Sequence, residues 1–161
     1  MQLALLRHGV AEDAGPSTEW QDEPRQLTDV GRRRIRDAAA GIVRLGLTFD
    51  VVLTSPLARC VQTAEIVSAA LGRAAVPDDR LRPGLDVHAL IDLLLERPEA
   101  ESVLVCGHQP DLTLVTSDLV SGGVMEFKKG SLAVIELDER RARAGVLMAL
   151  YPPSTLRRVG G

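Results

Sequence analysis

The feature of this sequence that most constrains its fold is the alternation of short apolar runs with longer amphipathic stretches. The apolar runs have the length and composition of buried strands. They are Leu3–Leu6, Phe49–Leu53, Ala74–Val76, Ser102–Cys106, Ser131–Leu137 and Val146–Tyr151. Strands that alternate with helices build a sheet covered on both faces. The sequence therefore predicts an α/β fold, namely a three-layer α/β/α sandwich with a mostly parallel central sheet.

Capping residues mark the predicted helices. Thr28 is a good N-cap for a helix over Arg32–Leu45, and Ser55 followed by Pro56 is typical of the start of a second helix that ends at Leu71. Two further helices are predicted over Val87–Leu95 and Pro110–Val120. The other predicted segments are a loop or flap over Ala11–Gln26, a charged turn over Asp138–Arg143 and an irregular tail over Pro152–Gly161.

Length and composition favour a single soluble domain. The chain has 161 residues, of which 45% are hydrophobic and 25% are charged, close to the globular average. No apolar run reaches the roughly 18–20 residues that a membrane span requires. The apolar run Leu3–Leu6 is too short for a signal peptide and has no basic lead-in. We expect one domain over residues 1–161, located in the cytoplasm and not in a membrane.

Three polar turns follow the strongest predicted strands directly. They are Arg7-His8, Thr54-Ser55 and Gly107-His108. Open α/β sheets bind ligands beyond the carboxyl ends of their strands. If these strands are parallel neighbours, the three turns meet at one edge of the sheet.

The residues in these turns suit phosphoryl transfer. That reaction needs a nucleophile and cationic donors for the phosphoryl oxygens. Neutral imidazole is a competent nucleophile, which makes His8 the candidate, and Gly9 lets the backbone approach a phosphate. Arg7 and Arg59 offer planar forks for the oxygens. His108 adds a further donor at the third turn.

At these residues the sequence resembles the histidine phosphatase (phosphoglycerate mutase-like) superfamily. The motifs are LLRHG at Leu5–Gly9, TSPLARCVQTAE at Thr54–Glu65 and VCGHQP at Val105–Pro110. RQLTDVG at Arg25–Gly31 resembles the small SixA-like phosphohistidine phosphatases within that family. The resemblance implies that His8 is the nucleophile and that Arg7, Arg59 and His108 bind phosphate without a cofactor. Arg25 and Ser55 are further candidates for the pocket rim.

Two departures from the family pattern bear on the substrate. Only 48 residues lie between Arg59 and His108, which leaves little or no room for the cap insertion of larger members. The position after the late histidine is Gln109, where one branch of the family carries an acidic residue. The nearest candidate for a general acid is Asp86, and the predicted flap offers Glu12 and Asp13.

The uncertain acid favours a phosphoramidate substrate. An alkoxide leaves a phosphate ester badly unless it is protonated. Imidazole leaves phosphohistidine with little help, because its conjugate acid has a pKa near 6.5. We therefore expect the chain to act on phosphohistidine of a signalling or phosphotransfer protein. Two alternatives stay open. One is a small-molecule phosphomonoesterase that uses Asp86 or a flap carboxylate, and the other is a non-catalytic module that binds phosphoproteins.

Other classes of function fit the sequence poorly. The chain has 17 arginines and two lysines but only four aromatic residues, too few for the stacking typical of nucleic-acid binding. A cysteine phosphatase needs Cys-x5-Arg, and both Cys60 and Cys106 lack that arginine. We expect both cysteines to be small buried residues. The three histidines are too widely spaced for a metal motif, so no metal is expected.

Overall fold

The computed structural model describes residues 1–13, 24–138 and 145–161 and places six strands in one sheet. The strands are β1 (Gln2–Arg7), β2 (Val51–Thr54), β3 (Ala75–Pro77), β4 (Ser102–Gly107), β5 (Leu132–Leu137) and β6 (Gly145–Tyr151). Their spatial order is β3-β2-β4-β1-β5-β6. The first four strands are parallel, while β5 runs antiparallel to β1 and β6. The predicted mostly parallel sheet is confirmed.

Helices cover both faces of this sheet. They are α1 (Asp29–Arg44), α2 (Ala58–Leu71), α3 (Val87–Leu95), α4 (Asp111–Leu119) and α5 (Pro153–Gly160), and a 3-10 turn lies at Asp79–Leu81. Side chains alternate between the faces of a strand. On β1, Leu3 and Leu5 pack with α3 and α4, while Ala4 and Leu6 pack with α1, α2 and α5. The predicted three-layer sandwich is confirmed.

The N-termini of α1 and α2 differ from the predicted helix starts. Thr28 caps α1 as predicted, because its hydroxyl accepts a hydrogen bond from Gly31 N at 3.0 Å, but the helix begins at Asp29 and not at Arg32. The prediction that Ser55 is the N-cap of α2 is wrong. Leu57 occupies the N-cap position and makes no side-chain capping bond. The Ser55 hydroxyl accepts from Leu57 N at 3.4 Å and also lies 2.8 Å from Nε2 of His108.

The prediction of an irregular tail is also wrong, since Pro153–Gly160 forms α5. Pro153 stands in the first turn, where proline is tolerated. Leu156 is fully buried against α1. A Cβ on Gly41 would lie 2.1 Å from the Leu156 carbonyl oxygen, and a Cβ on Gly160 would lie 1.9 Å from that of Asp37. The two glycines thus let α1 and α5 pack backbone against backbone, a tertiary contact that no local pattern reveals.

Most of the predicted flap, and nearly all of the turn over Asp138–Arg143, lie outside the described residues. The described ends of the flap are held together, because Ala11 pairs with Leu27 and Glu12 N donates to Gln26 O at 2.9 Å. Between α2 and β4 the chain forms only β3, the 3-10 turn and α3, in agreement with the predicted lack of a cap. Within the described ranges, no helix is long and apolar enough to cross a membrane.

Candidate active site

A cavity of about 400 Å³ lies at the carboxyl edge of the parallel strands. It is lined by Arg7, His8, Arg25, Arg59, Pro83, His108, Gln109 and Lys129. The parallel pairing of β1 with β4, and of β4 with β2, brings the three polar turns to this edge. The structure therefore brings together the four residues that the sequence singles out. We call Arg7, His8, Arg59 and His108 the inner wall, and Arg25, Pro83, Gln109 and Lys129 the rim.

The imidazole of His8 is buried and neutral. Only 6% of the residue is exposed, and its backbone N–H donates to Gly107 O, which extends the β1–β4 ladder. Burial is the main cause that lowers the pKa of His8 to about 3, since the charged form loses its hydration, and the positive charges of Arg59 and Arg7 act in the same direction. The Gly9 carbonyl acts in the opposite direction but does not outweigh burial. His8 therefore carries no charge at neutral pH.

The tautomer of His8 follows from its hydrogen bond. Nδ1 lies 2.8 Å from the carbonyl oxygen of Gly9. A carbonyl only accepts hydrogen bonds, so Nδ1 carries the proton and donates. In a neutral ring, the lone pair then belongs to Nε2. This nitrogen has the electronic character that a nucleophile needs, and its ring lines the cavity.

Gly9 has a packing role that differs from the predicted one. Its N–H donates to Thr63 Oγ1 at 3.0 Å, so it is already engaged within the fold. A Cβ at this position would lie 2.7 Å from Ile35 Cγ1. Gly9 does not line the cavity. The prediction that it brings the backbone close to phosphate is corrected: glycine is needed because α1 packs closely against the turn that holds His8.

His108 is held between Arg59 and Ser55. Its Nδ1 lies 3.3 Å from Nη2 of Arg59, and its Nε2 lies 2.8 Å from Oγ of Ser55. Guanidinium only donates, so Nδ1 accepts, and the neutral ring places its proton on Nε2, which donates to the hydroxyl. Ser55 is fully buried and does not line the cavity, so its predicted place on the rim is corrected. Ser55 therefore orients the His108 ring without lining the cavity itself.

Arg7 and Arg59 supply fixed positive charge. Nη1 of Arg7 donates to Phe127 O at 2.6 Å, while its Nε is buried and has no hydrogen-bond partner among the described residues. Burial lowers the pKa of Arg7 from its usual value, but a guanidinium stays charged at neutral pH. Arg59 lies in the first turn of α2 and is 4% exposed.

Cys60 and Cys106 are both fully buried free cysteines, as predicted. Cys60 packs against the inner wall, with Sγ 3.4 Å from Nε2 of His108.

The rim combines one predicted residue with residues that the sequence reasoning missed. Arg25 lines the cavity as expected, and its Nε donates to Glu12 O at 2.7 Å. Gln109 donates to Thr113 Oγ1 at 2.8 Å, which ties the rim to α4. Lys129 was missed. The signal that could have found it is that the only two lysines of the chain stand together, two residues before β5.

No carboxylate side chain is among the described residues that line the cavity. Asp86 caps α3 by accepting from Ala89 N at 2.8 Å, and its side chain is exposed. Glu12 accepts from Gln26 N, and both Glu12 and Asp13 are exposed. The described part of the chain thus offers no carboxylic acid at the inner wall.

Acidic residues elsewhere make structural contacts. Asp111 accepts from Gly84 N at 2.9 Å and thereby holds the loop that carries Pro83. Asp50 accepts from the backbone and the hydroxyl of Ser102. Within the described ranges, no three His, Cys, Asp or Glu side chains lie close enough together to hold a metal ion.

A larger groove of about 620 Å³ adjoins the cavity. Its apolar lining residues are Pro24, Pro56, Leu57, Ala58 and Val61. Its polar or charged lining residues are Gln62, Glu65 and Arg82. Pro24 and Arg82 are chain neighbours of Arg25 and Pro83 on the rim. A ligand larger than a phosphoryl group could therefore extend from the cavity along the first turns of α2.

Comparison with known proteins agrees with this geometry. Residues 3–83 match the model of the histidine phosphatase superfamily (branch 1). The chain is 44% identical over 117 residues to an uncharacterized protein of Picosynechococcus sp., which covers 70% of this chain and 68% of that protein. It is 38% identical to a 2,3-bisphosphoglycerate-dependent phosphoglycerate mutase of Parvibaculum lavamentivorans, over 46% of this chain but only 35% of the mutase. The protein histidine phosphatase SixA, solved with tungstate, superposes with a TM-score of 0.85 at 28% identity and covers 97% of this chain and 99% of its own.

Proposed function

Because this chain belongs to the histidine phosphatase superfamily, we propose that it hydrolyses phosphohistidine on a signalling or phosphotransfer protein through a covalent intermediate on His8. Family membership and the likeness to SixA support a phosphatase as the class of enzyme. The observation that carries the proposal is the neutral His8 ring, with its Nδ1 proton fixed on Gly9 O, in a cavity that also holds Arg7, Arg59 and His108.

The first step forms a bond between Nε2 of His8 and phosphorus. The other ring nitrogen of the substrate first takes a proton from water; the bond from phosphorus to the substrate nitrogen then breaks, and its electron pair stays on the neutral imidazole that leaves. Arg7 and Arg59 hold the equatorial oxygens, whose charge they neutralise. In the second step water attacks phospho-His8, inorganic phosphate leaves, and the electron pair returns to Nε2.

His108 has a role that depends on ligand binding. Its Nδ1 accepts from Arg59 in the structure. When Arg59 turns to a phosphoryl oxygen, that nitrogen is released from Arg59 and becomes available to the phosphoryl group. His108 then donates to the phosphoryl group while its other nitrogen keeps the contact with Ser55.

The choice of substrate follows from the leaving group. No described carboxylate lines the cavity, so a leaving group that needs no general acid from the enzyme is favoured. The free ring nitrogen of phosphohistidine can take its proton from solvent near neutral pH, whereas the ester oxygen of an alkyl phosphate cannot. The adjoining groove offers space for the polypeptide that bears the phosphohistidine.

A pair of assays tests the proposal. The first compares hydrolysis of a phosphohistidine protein with that of alkyl phosphates, and we expect the phosphohistidine protein to be turned over faster. Faster hydrolysis of the alkyl esters would favour the phosphomonoesterase that uses Asp86.

The second assay follows radiolabel bound to the protein, which should be acid-labile, base-stable and absent from His8→Ala. His88→Ala, on the exposed face of α3, is the matched control and should keep the label. Binding without turnover or label would indicate the non-catalytic phosphoprotein reader.

A further inference from the structure

Lys129 stands at the corner of a turn that is fixed to the inner wall. Ser131 N donates to Lys128 O at 2.8 Å, and Gly130 between them has a φ of +85°. This pattern places Lys129 at the second position of a type II turn, where glycine must follow. Arg7 pairs with the same turn, because Gly130 N donates to Arg7 O and Arg7 N donates to Ser131 O. The backbone that carries Lys129 is therefore held against Arg7.

The two adjacent lysines differ in their surroundings. Lys128 lies 3.9 Å from Glu126 and does not line the cavity. Lys129 lines the cavity, and no described residue makes an ion pair or hydrogen bond with it. Both side chains are exposed. Consecutive residues of the same type thus present one charge to solvent and the other to the mouth of the catalytic cavity.

The inner wall already balances the charge of a phosphoryl group. Arg7 and Arg59 contribute two positive charges, and a phosphoryl group carries about two negative charges at neutral pH. Lys129 adds positive charge to this cavity, and no described carboxylate there offsets it. A cleft lined by charge of one sign attracts ligands of the opposite sign.

The cavity also has room for more than the phosphoryl group. Its volume is about 400 Å³, whereas each water occupies about 30 Å³ of liquid, and a phosphoryl group replaces only a few waters. The atoms next to phosphorus in the substrate must therefore lie near the rim.

We propose that Lys129 forms a second anion subsite, which binds a carboxylate of the substrate close to the phosphoryl group. The inference rests on the proposed function, because it assumes that the inner wall holds the phosphoryl group. For a protein substrate, the carboxylate belongs to an Asp or Glu that flanks the phosphohistidine. Lys129 then selects among substrates and takes no part in bond breaking.

The first experiment measures binding without turnover. Calorimetry at low ionic strength compares phosphonoacetate and phosphonopropionate with their carboxamides, on the wild type, Lys129→Met and Lys128→Met. We expect at least one acid to bind the wild type about fivefold more tightly than its amide, as for a favourable ion pair at the edge of a cationic cleft. The ratio should fall to about one in Lys129→Met and persist in Lys128→Met. Binding of inorganic phosphate should be nearly the same in all three proteins.

Three results would overturn the proposal: no preference for either acid in the wild type, a preference that survives in Lys129→Met, or an equal loss in Lys128→Met. An equal loss of affinity for inorganic phosphate in Lys129→Met would also overturn it, since Lys129 would then serve the phosphoryl group itself.

The second experiment separates this inference from the proposed function. Phosphohistidine peptides that differ only in acidic or amide residues beside the phosphohistidine are assayed for kcat/KM. We expect the wild type and Lys128→Met to prefer the acidic peptide about fivefold, and Lys129→Met to show no preference. Turnover with equal preference in wild type and Lys129→Met would refute the subsite alone. A complete lack of turnover would refute the proposed function, while the calorimetric ratio still decides on Lys129.

Discussion

The inner wall and the rim share one cavity but are built in different ways. Three of the four inner-wall side chains are buried, and each of the four has a hydrogen bond to the fold or to another wall residue. The rim residues are exposed or half-buried and stand on loops. Rate acceleration requires groups that are already in position, whereas selection among substrates tolerates mobile side chains. This difference supports our proposal that the chemistry resides in the inner wall and the selection of substrates in the rim.

The largest effect is expected from removing the proposed nucleophile. His8→Ala should lower kcat by roughly 10⁴-fold or more, because the covalent route is lost and only binding and electrostatic stabilisation remain. Initial rates on a phosphohistidine peptide measure this effect. His88→Ala should retain the wild-type rate. A His8→Ala rate within tenfold of the wild type would remove His8 from the mechanism.

The same substitution on wall and rim compares them directly. Arg59→Lys should lower kcat/KM about 100-fold, because lysine loses the planar fork that holds two oxygens and the contact with His108. Arg25→Lys should cost less than about fivefold, because its position on the rim is outside the reacting group. Steady-state kinetics on one substrate give both numbers. Equal losses at the two positions would abolish the distinction between wall and rim.

Replacing Ser55 tests whether the His108 ring must be held in a fixed orientation. Ser55→Ala should lower kcat about tenfold, since the Nε2–H of His108 loses a buried acceptor and the ring is no longer fixed. The pH profile of kcat should also shift, which a purely structural role would not cause. Ser68→Ala is the matched control, because Ser68 is a buried serine of α2 whose hydroxyl makes no hydrogen bond among the described residues. An unchanged profile in Ser55→Ala would contradict the role.

The smallest expected effect is on stability and reports the burial of His8. Its pKa is about 3 in the folded chain and about 6.5 when unfolded, so between these values the unfolded state binds more protons. Stability is therefore lost as the pH falls below about 6.5. From pH 7 to pH 5 the wild type should lose about 2 kcal/mol more than His8→Gln. Denaturant unfolding at the two pH values measures this difference.

His88→Gln is the matched control for a histidine substitution, because this side chain is exposed on α3 and does not line the cavity. If His8→Gln loses as much stability between pH 7 and pH 5 as the wild type does, the imidazole of His8 is not held neutral by burial.

The sequence predicted the strands and the meeting of their polar turns because these depend on local periodicity and on the geometry of parallel sheets. The tail and Gly9 were misread because their structure depends on contacts between distant residues. Leu156 packs on Gly41, and Ile35 fills the space beside Gly9. Ser55 was misassigned because a serine before a proline is typical of a helix start, whereas the contact of its hydroxyl with His108 depends on the fold. Lys129 has no motif, since its position depends on the pairing of its turn with Arg7.

The proposed mechanism is tested most directly by identifying which atom carries the phosphoryl group on the trapped enzyme. The protein is phosphorylated, quenched in base and digested, and the labelled residue and its ring nitrogen are identified by mass spectrometry and phosphorus NMR. We predict a single phosphoryl group on His8, attached to Nε2, because Nδ1 is bound to the carbonyl oxygen of Gly9. Attachment to Nδ1, or to any other residue, would contradict the proposed mechanism.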